Sequence, residues 1–207
     1  QVFGFTPSGS ANGFQNYTIS YGSAALTVNP AAITLTPTAQ SKTYGSALDL
    51  GTGSGAVAVT LAHLRPDAAL SASDISEESL QIAERNAARH QSKVNFILSD
   101  WYSELNGRFD LIVSNPPYIA AGDKHLSEGD LRFEPPGALT DHADGLQAIK
   151  AIISGAPQHL TPGGWLLLEH GFDQAASVHT LFENSVWDDI CSWRDLAGIE
   201  RVSGARL

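Results

Sequence analysis

Asn115-Pro116-Pro117-Tyr118 is the run in this chain whose residue types and spacing say most about chemistry. Two consecutive prolines delete two backbone donors and stiffen the chain. The Asn115 side chain and the Pro116 carbonyl are left as a pair of acceptors able to face one planar NH2 group. Tyr118 can lie against such a group, which aims the nitrogen lone pair along a fixed line. Asn115, Pro116, Pro117 and Tyr118 are therefore the expected substrate-binding residues, with Asn115, Pro116 and Tyr118 closest to any chemistry on the nitrogen. The plain alternative is a loop stiffened for stability. A position directly after a strand and opposite a glycine turn argues against it.

That turn is Leu48-Asp49-Leu50-Gly51-Thr52-Gly53-Ser54-Gly55. Three glycines between a strand and a helix let the backbone approach a ligand at the carboxyl edge of a parallel sheet. The spacing is G-x-G-x-G. The dinucleotide fingerprint is G-x-G-x-x-G, and the phosphate loop needs a lysine that is missing here, so nicotinamide and nucleoside triphosphates lose ground. Gly51, Thr52, Gly53, Ser54 and Gly55 are read as ligand-binding, against the simpler role of tight packing. Asp74 ends the second predicted strand, 19 residues after Gly55, where a carboxylate accepts from both hydroxyls of a ribose; its ordinary alternative is a helix cap. Asp100-Trp101 ends the third. Asp100 would accept from an exocyclic adenine amine and Trp101 would pack on the ring, or the pair is a turn Asp beside a half-buried aromatic.

The elements that must position these residues follow from periodicity. Ala47–Leu50, Ala69–Ser73, Val94–Leu98 and Phe109–Ser114 read as short buried strands separated by helical stretches, which argues for a parallel sheet covered on both faces. Val57, Leu61 and Leu64 recur on one face of the first helix, before Pro66. Ser76 caps the second helix, with Glu77 and Glu78 in its first turn and Leu80, Ala83 and Ala87 on one face, ending near His90. A helix from about Gly145 to Leu160 leads through a Thr161-Pro162-Gly163-Gly164 turn into a strand from Trp165 to Glu169. A last helix near 174–184 precedes Ile190–Arg194 and Glu200–Ser203, read as an antiparallel edge hairpin.

Charge divides the chain. The first 45 residues contain Lys42 and no other charged residue or histidine, while all 22 acidic residues lie beyond, within a formal net charge of -10 over 207 residues. Such an acidic balance opposes loose attraction to phosphate backbones or anionic lipid. No apolar run reaches the roughly 18 to 20 residues a membrane span needs. The single cysteine, Cys191, forms no internal disulfide or multi-thiolate zinc site and is expected in the core. The first segment alternates in short runs typical of β-hairpins: Tyr17-Thr18-Ile19-Ser20-Tyr21, Ala25-Leu26-Thr27-Val28 and Ala32-Ile33-Thr34-Leu35-Thr36. Asn16 to Pro30 and Ala39 to Gly45 resemble repeats of secreted adhesins of the filamentous-haemagglutinin kind. With no methionine anywhere, the expectation is a fragment or fusion: a β-rich segment over 1–45 and an α/β domain over 46–207.

With LDLGTGSG at 48–55, SDW at 99–101, FDLIVSNPPYI at 109–119, EGDLRFEP at 128–135, PGGWLLLEHG at 162–171 and WRDLAG at 193–198, residues 46–207 resemble the bacterial peptide-chain release factor glutamine methyltransferases. The resemblance implies a class I, Rossmann-like doubly wound sheet. It also implies S-adenosylmethionine as cofactor, a release factor as protein partner, no metal, and a cytoplasmic location. The glycine turn would hold the methionine part, Asp74 the ribose, Asp100 and Trp101 the adenine, with Asn115 beside the cofactor as well. Asn115 to Tyr118 would bind the substrate glutamine. Glu134, Glu169 and His170 resemble family positions near the site and receive no catalytic role. Two rivals stay open: an adenine-N6 DNA methyltransferase, since an exocyclic amine fits the same acceptors after base flipping, and an inactive fusion that only binds cofactor.

Overall fold

The computed structural model describes residues 45–123, 135–183 and 185–207, all within one compact unit. The expectations for residues 1–44 and for Glu134, with most of the 128–135 motif, lie outside them.

Seven strands form one sheet: β1 Ser46–Leu50, β2 Ala69–Asp74, β3 Asn95–Leu98, β4 Phe109–Ser114, β5 Leu160–Glu169, β6 Asp188–Arg194 and β7 Glu200–Arg206. Their order is β3-β2-β1-β4-β5-β7-β6. The first five run parallel, and β7 is antiparallel to both β5 and β6. Helices α1 Ala56–Leu64, α2 Glu77–Arg89, the short α3 Pro136–Leu139, α4 Gln147–His159 and α5 Ala175–Glu183 complete the α/β doubly wound architecture expected from the strand and helix rhythm. The chain reverses direction across the sheet between β3 and β4, so the carboxyl ends of β1 and β4 flank the switch point where such sheets bind ligands.

Burial on both faces explains why the central strands are apolar without alternation. Leu48, Leu50, Ile112, Leu166 and Leu168 join Ile149, Ile152 and Ala156 of α4 and Val178 and Phe182 of α5 in the main core. A smaller cluster of Ala47, Ala62 and Leu70 lies against α1. In α2 the Ser76 Oγ accepts from Ser79 N at 3.2 Å, and Leu80, Ala83 and Ala87 are the buried positions. Among the described residues no helix is long and apolar enough to cross a membrane.

Three expectations are corrected. Helix α1 buries Ala58 and Ala62, while Val57 is 40% and Leu64 66% exposed. Gly55 explains why small residues face inward: a Cβ there would stand 2.9 Å from the Ala83 Cβ, so α1 starts hard against α2 and branched side chains turn outward. The Thr161–Gly164 turn is absorbed into β5 as an irregularity. The β4 pairing jumps from Phe109↔Leu160 to Leu111↔Trp165, and Gly163 N and Leu207 N bond Leu207 O and Gly164 O across it. Cys191 is only half-buried, on the edge strand β6, because β7 rather than β6 inserts next to β5.

Gly55 also has φ 82°, the left-handed region. Replacing it with alanine adds backbone strain to the contact with Ala83. Gly55→Ala is expected to lower unfolding free energy by about 2–4 kcal/mol, read as the urea midpoint. An unchanged midpoint contradicts the close approach of α1 and α2.

Candidate active site

The site is built where four parallel strands end together. Leu50 pairs with Ser73 on one side and with Ser114 on the other, and Asp74 pairs with Leu98. Gly51, Asp74 and Asn115 therefore sit at the same edge, with neighbouring strands about 4.8 Å apart. Three further bonds pin the β1 end: Gly51 N and Thr52 N both donate to Ser73 O, at 2.8 and 2.9 Å, and Ser114 Oγ donates to Leu50 O at 2.5 Å. The structure thus brings the glycine turn and the double-proline loop to the same carboxyl edge of neighbouring strands.

The turn is shaped by two carboxylates. Asp49 Oδ2, almost fully buried, accepts from Thr52 Oγ1 at 2.5 Å and from Ala58 N at 3.0 Å. It caps α1 from the preceding strand, which suits a helix whose own cap position is Gly55 with no side-chain acceptor. Asp74 closes the other side, Oδ2 accepting from Gly53 N at 2.8 Å and Oδ1 from Ser76 N at 2.9 Å. It combines the cap role with support of the turn, and each oxygen keeps acceptor capacity for a ligand hydroxyl.

Asp100 is exposed and lines an open cavity of about 510 Å³ with Ile75, Leu98, Ser99, Ser103 and Glu104. The apolar walls there are Ile75 and Leu98, 69% and 51% exposed. Trp101 does not line it. With φ 45°, Trp101 sets its ring over Gly51, 3.5 Å from where a Cβ would be, and Ser99 Oγ donates to Trp101 O at 2.8 Å.

In the double-proline loop Asn115 is exposed, Pro116 buried, and Pro117 and Tyr118 half-buried. Among the described residues nothing hydrogen-bonds the Asn115 side-chain amide. Tyr118 is held at its phenol, which donates to Glu169 Oε1 at 3.1 Å and accepts from Arg201 Nη2 at 2.9 Å. Burial, with the Glu169 charge beside it, raises the phenol above its ordinary value, so it stays protonated near neutral pH.

Residues 24–129 match the methyltransferase small domain family. The chain belongs to that family. A release factor glutamine methyltransferase of Burkholderia pseudomallei is 55% identical over 168 residues, covering 77% of this chain and 59% of the relative. One of Bordetella pertussis is 53% identical over 162 residues, covering 77% and 60%. The chain thus spans roughly three-fifths of the length of the curated relatives it matches. Solved structures share the fold: a methyltransferase from Pyrococcus furiosus has a TM-score of 0.57 at 23% identity, covering 78% of this chain and 73% of that one. A ribosomal protein L11 methylase from Lactobacillus delbrueckii subsp. bulgaricus has a TM-score of 0.56 at 23% identity, covering 80% and 69%. The doubly wound, Rossmann-like sheet is the fold of these methyltransferases.

For this methyltransferase-family site, sequence reasoning missed Asp49, Gln174 and Arg201. Asp49 was legible as a lone acid in an apolar strand directly before the glycines. Gln174 and Arg201 reach the loop from 56 and 83 residues away, and no local pattern announces such contacts. His170, unassigned from sequence, is fully buried, its ring bonding Gly171 O at 2.9 Å and Ser203 Oγ at 2.8 Å. The carbonyl only accepts, so Nδ1 carries a proton. Burial pulls the ring below its usual value, and the arrangement is structural.

Burial pushes Asp49 up to about 6 from 3.8, against the pull of its bonds to Thr52 and Ala58, with Asp74 adding to the rise. A raised carboxyl costs nothing below its unfolded value and its full penalty above its folded one. Wild type therefore loses stability from this group as pH climbs through about 4 to 6. Asp49→Asn keeps an acceptor without the charge. Its stability relative to wild type is expected to improve by roughly 2–3 kcal/mol from pH 4 to pH 7.5 in urea titrations. A pH-independent difference contradicts a buried, charge-penalised Asp49.

Proposed function

We propose that residues 46–207 transfer a methyl group from S-adenosylmethionine to the side-chain amide nitrogen of a protein glutamine, and that this is the glutamine of a Gly-Gly-Gln segment in a peptide-chain release factor. One observation carries the reading: the Asn115 amide is exposed and, among the described residues, unengaged, beside Pro116 and one strand away from the Gly51 turn. The matched relatives are named for that reaction, which supports the choice of substrate.

The residues present fit the donor. Gly53, at φ 55° with nothing within 4 Å of where a Cβ would be, leaves bare backbone after β1, and Asp74 retains acceptor capacity for ribose hydroxyls. The cavity at Asp100 offers Ile75 and Leu98 to a flat ring and a carboxylate to its amine. When bound, S-adenosylmethionine supplies an already activated methyl on a sulfonium. Gly51, Thr52, Gly53, Ser54 and Gly55 would hold its amino-acid end, Asp74 its ribose and Asp100 its adenine, while Trp101 backs the glycine turn.

What remains for the chain is alignment. An amide nitrogen is a weak nucleophile because its lone pair is delocalised. Asn115 Oδ1 and Pro116 O accept its two hydrogens, hold it in line with the methyl carbon, and stabilise the positive charge that grows as the new C–N bond forms. The methyl's bond to sulfur would break as the C–N bond forms, leaving a neutral thioether, and the charge would be relieved when one of the two protons passes to solvent. Tyr118 lies against the amide plane. The reading puts the protein in the cytoplasm with its release-factor partner, meeting nucleic acid only through the ribosome. The adenine-amine reading is not favoured: the acidic balance opposes DNA, and the relatives are named for a protein amide.

The test is mass spectrometry of a release factor incubated with S-adenosylmethionine and this protein, expected to find one added methyl on the Gly-Gly-Gln glutamine. Asn115→Ala is expected to cut transfer by about 100-fold or more with cofactor affinity unchanged within about twofold. Methylation of adenine in DNA but not of the release factor, or wild-type rates in the variant, overturns the proposal.

A further inference from the structure

The two prolines that give the substrate loop its stiffness also leave it unable to pin itself. Pro116 and Pro117 have no N–H, so the angle of the Pro116 carbonyl is set by what holds the two ends. One end is tied to the sheet, where Ser114 pairs with Leu50 and with Leu168. At the other end, Gln174 Nε2 donates to the Tyr118 carbonyl at 3.0 Å and to the Gly145 carbonyl at 3.2 Å. Its Oε1 accepts from Gly171 N at 2.8 Å, which fixes which way round the amide lies. Both amide hydrogens therefore face carbonyls.

The groups that Gln174 joins are themselves held. Asp141 Oδ1 accepts from Ala143 N and Gly145 N, at 2.8 and 3.0 Å, and its Oδ2 accepts from Gln147 N at 2.7 Å, locking the turn before α4. Gly145 is required there: at φ 78°, a Cβ would come within 2.3 Å of the Tyr118 carbonyl oxygen. Gly171 follows β5 and the buried His170. Gln174 is thus a three-way junction between the substrate loop, the turn before α4, and the end of β5.

We infer that Gln174 is a positioning residue for methyl transfer, setting the Asn115–Tyr118 loop at the angle at which Asn115 and Pro116 hold the substrate amide. This rests on the proposed function of the same site. Gln174 holds the Tyr118 end of the loop, opposite the Ser114 end that pairs with β1 beside the glycine turn. Its loss therefore acts on the rate of transfer through the stiff double-proline segment, where a displacement of about 1 Å costs on the order of 100-fold.

The experiment compares wild type with Gln174→Glu, which keeps shape but places a carboxylate against two carbonyls. Steady-state transfer to a release factor is read at saturating cofactor, and S-adenosylmethionine affinity by calorimetry. At pH 8, kcat is expected to fall roughly 30- to 100-fold with cofactor affinity unchanged within about twofold. The variant-to-wild-type ratio is expected to rise toward pH 6, as the new carboxyl gains a proton to donate. A kcat within about twofold of wild type, or a cofactor affinity that falls in step with kcat, overturns the inference. If wild type binds cofactor but leaves the release factor unmethylated, the proposed function fails and the brace is judged separately by 15N–1H spectra. Asn115 side-chain amide peaks that shift in Gln174→Glu uphold it, and unmoved peaks overturn it.

Discussion

Everything at the site depends on the double pairing of one residue. Leu50, fully buried, is bonded through the parallel ladder to β2 on one side and β4 on the other, so the backbone that leaves it must emerge between Asp74 and Asn115. A one-residue slip in either pairing would turn Leu48 and Leu50 from the core and move Gly51 out of line with the double-proline loop. The apolar burial that stabilises the central strands is therefore the same constraint that sets the spacing of the crevice.

Polar groups around that edge divide into two kinds. Asp49, Glu169, Gln174 and Arg201 are committed to the protein: they cap α1 or hold Tyr118 at carbonyl and phenol, while Asp74 both closes the glycine turn and keeps acceptor capacity. Asn115 is exposed and, among the described residues, uncommitted, and Asp100 opens onto a cavity that Ile75 and Leu98 wall in part. The division is what a rigid frame around a ligand site requires, because committed groups remove the motion that would blur the geometry of the free ones.

The sequence was most readable where the determining interactions are local. The strand, glycine turn and helix, the Ser76 cap with its acidic first turn, and the buried stripe of α2 all depend on residues within a few positions of each other. It was least readable where tertiary contact decides. Val57, Leu61 and Leu64 form an apolar stripe on α1, yet beside the close contact of Gly55 with Ala83 only Ala58 and Ala62 are buried, and Leu61 is partly so. The left-handed backbone of Trp101, which sets its ring over Gly51, has no local sign in the sequence. Thr161 to Gly164 has turn composition and is nonetheless drawn into β5 by bonds to Leu207 at the far end of the chain. The braces on Tyr118 come from β5, α5 and β7 surroundings that only the folded sheet brings near.

The central claim is that one crevice holds both the methyl donor and the amide that receives the methyl. A co-crystal structure with S-adenosylhomocysteine and a Gly-Gly-Gln peptide tests it most directly. The account predicts the glutamine nitrogen between Asn115 Oδ1 and the Pro116 carbonyl, with its free face directed at the sulfur over Gly51. A glutamine bound elsewhere on the surface, or a donor seated away from the glycine turn, contradicts it.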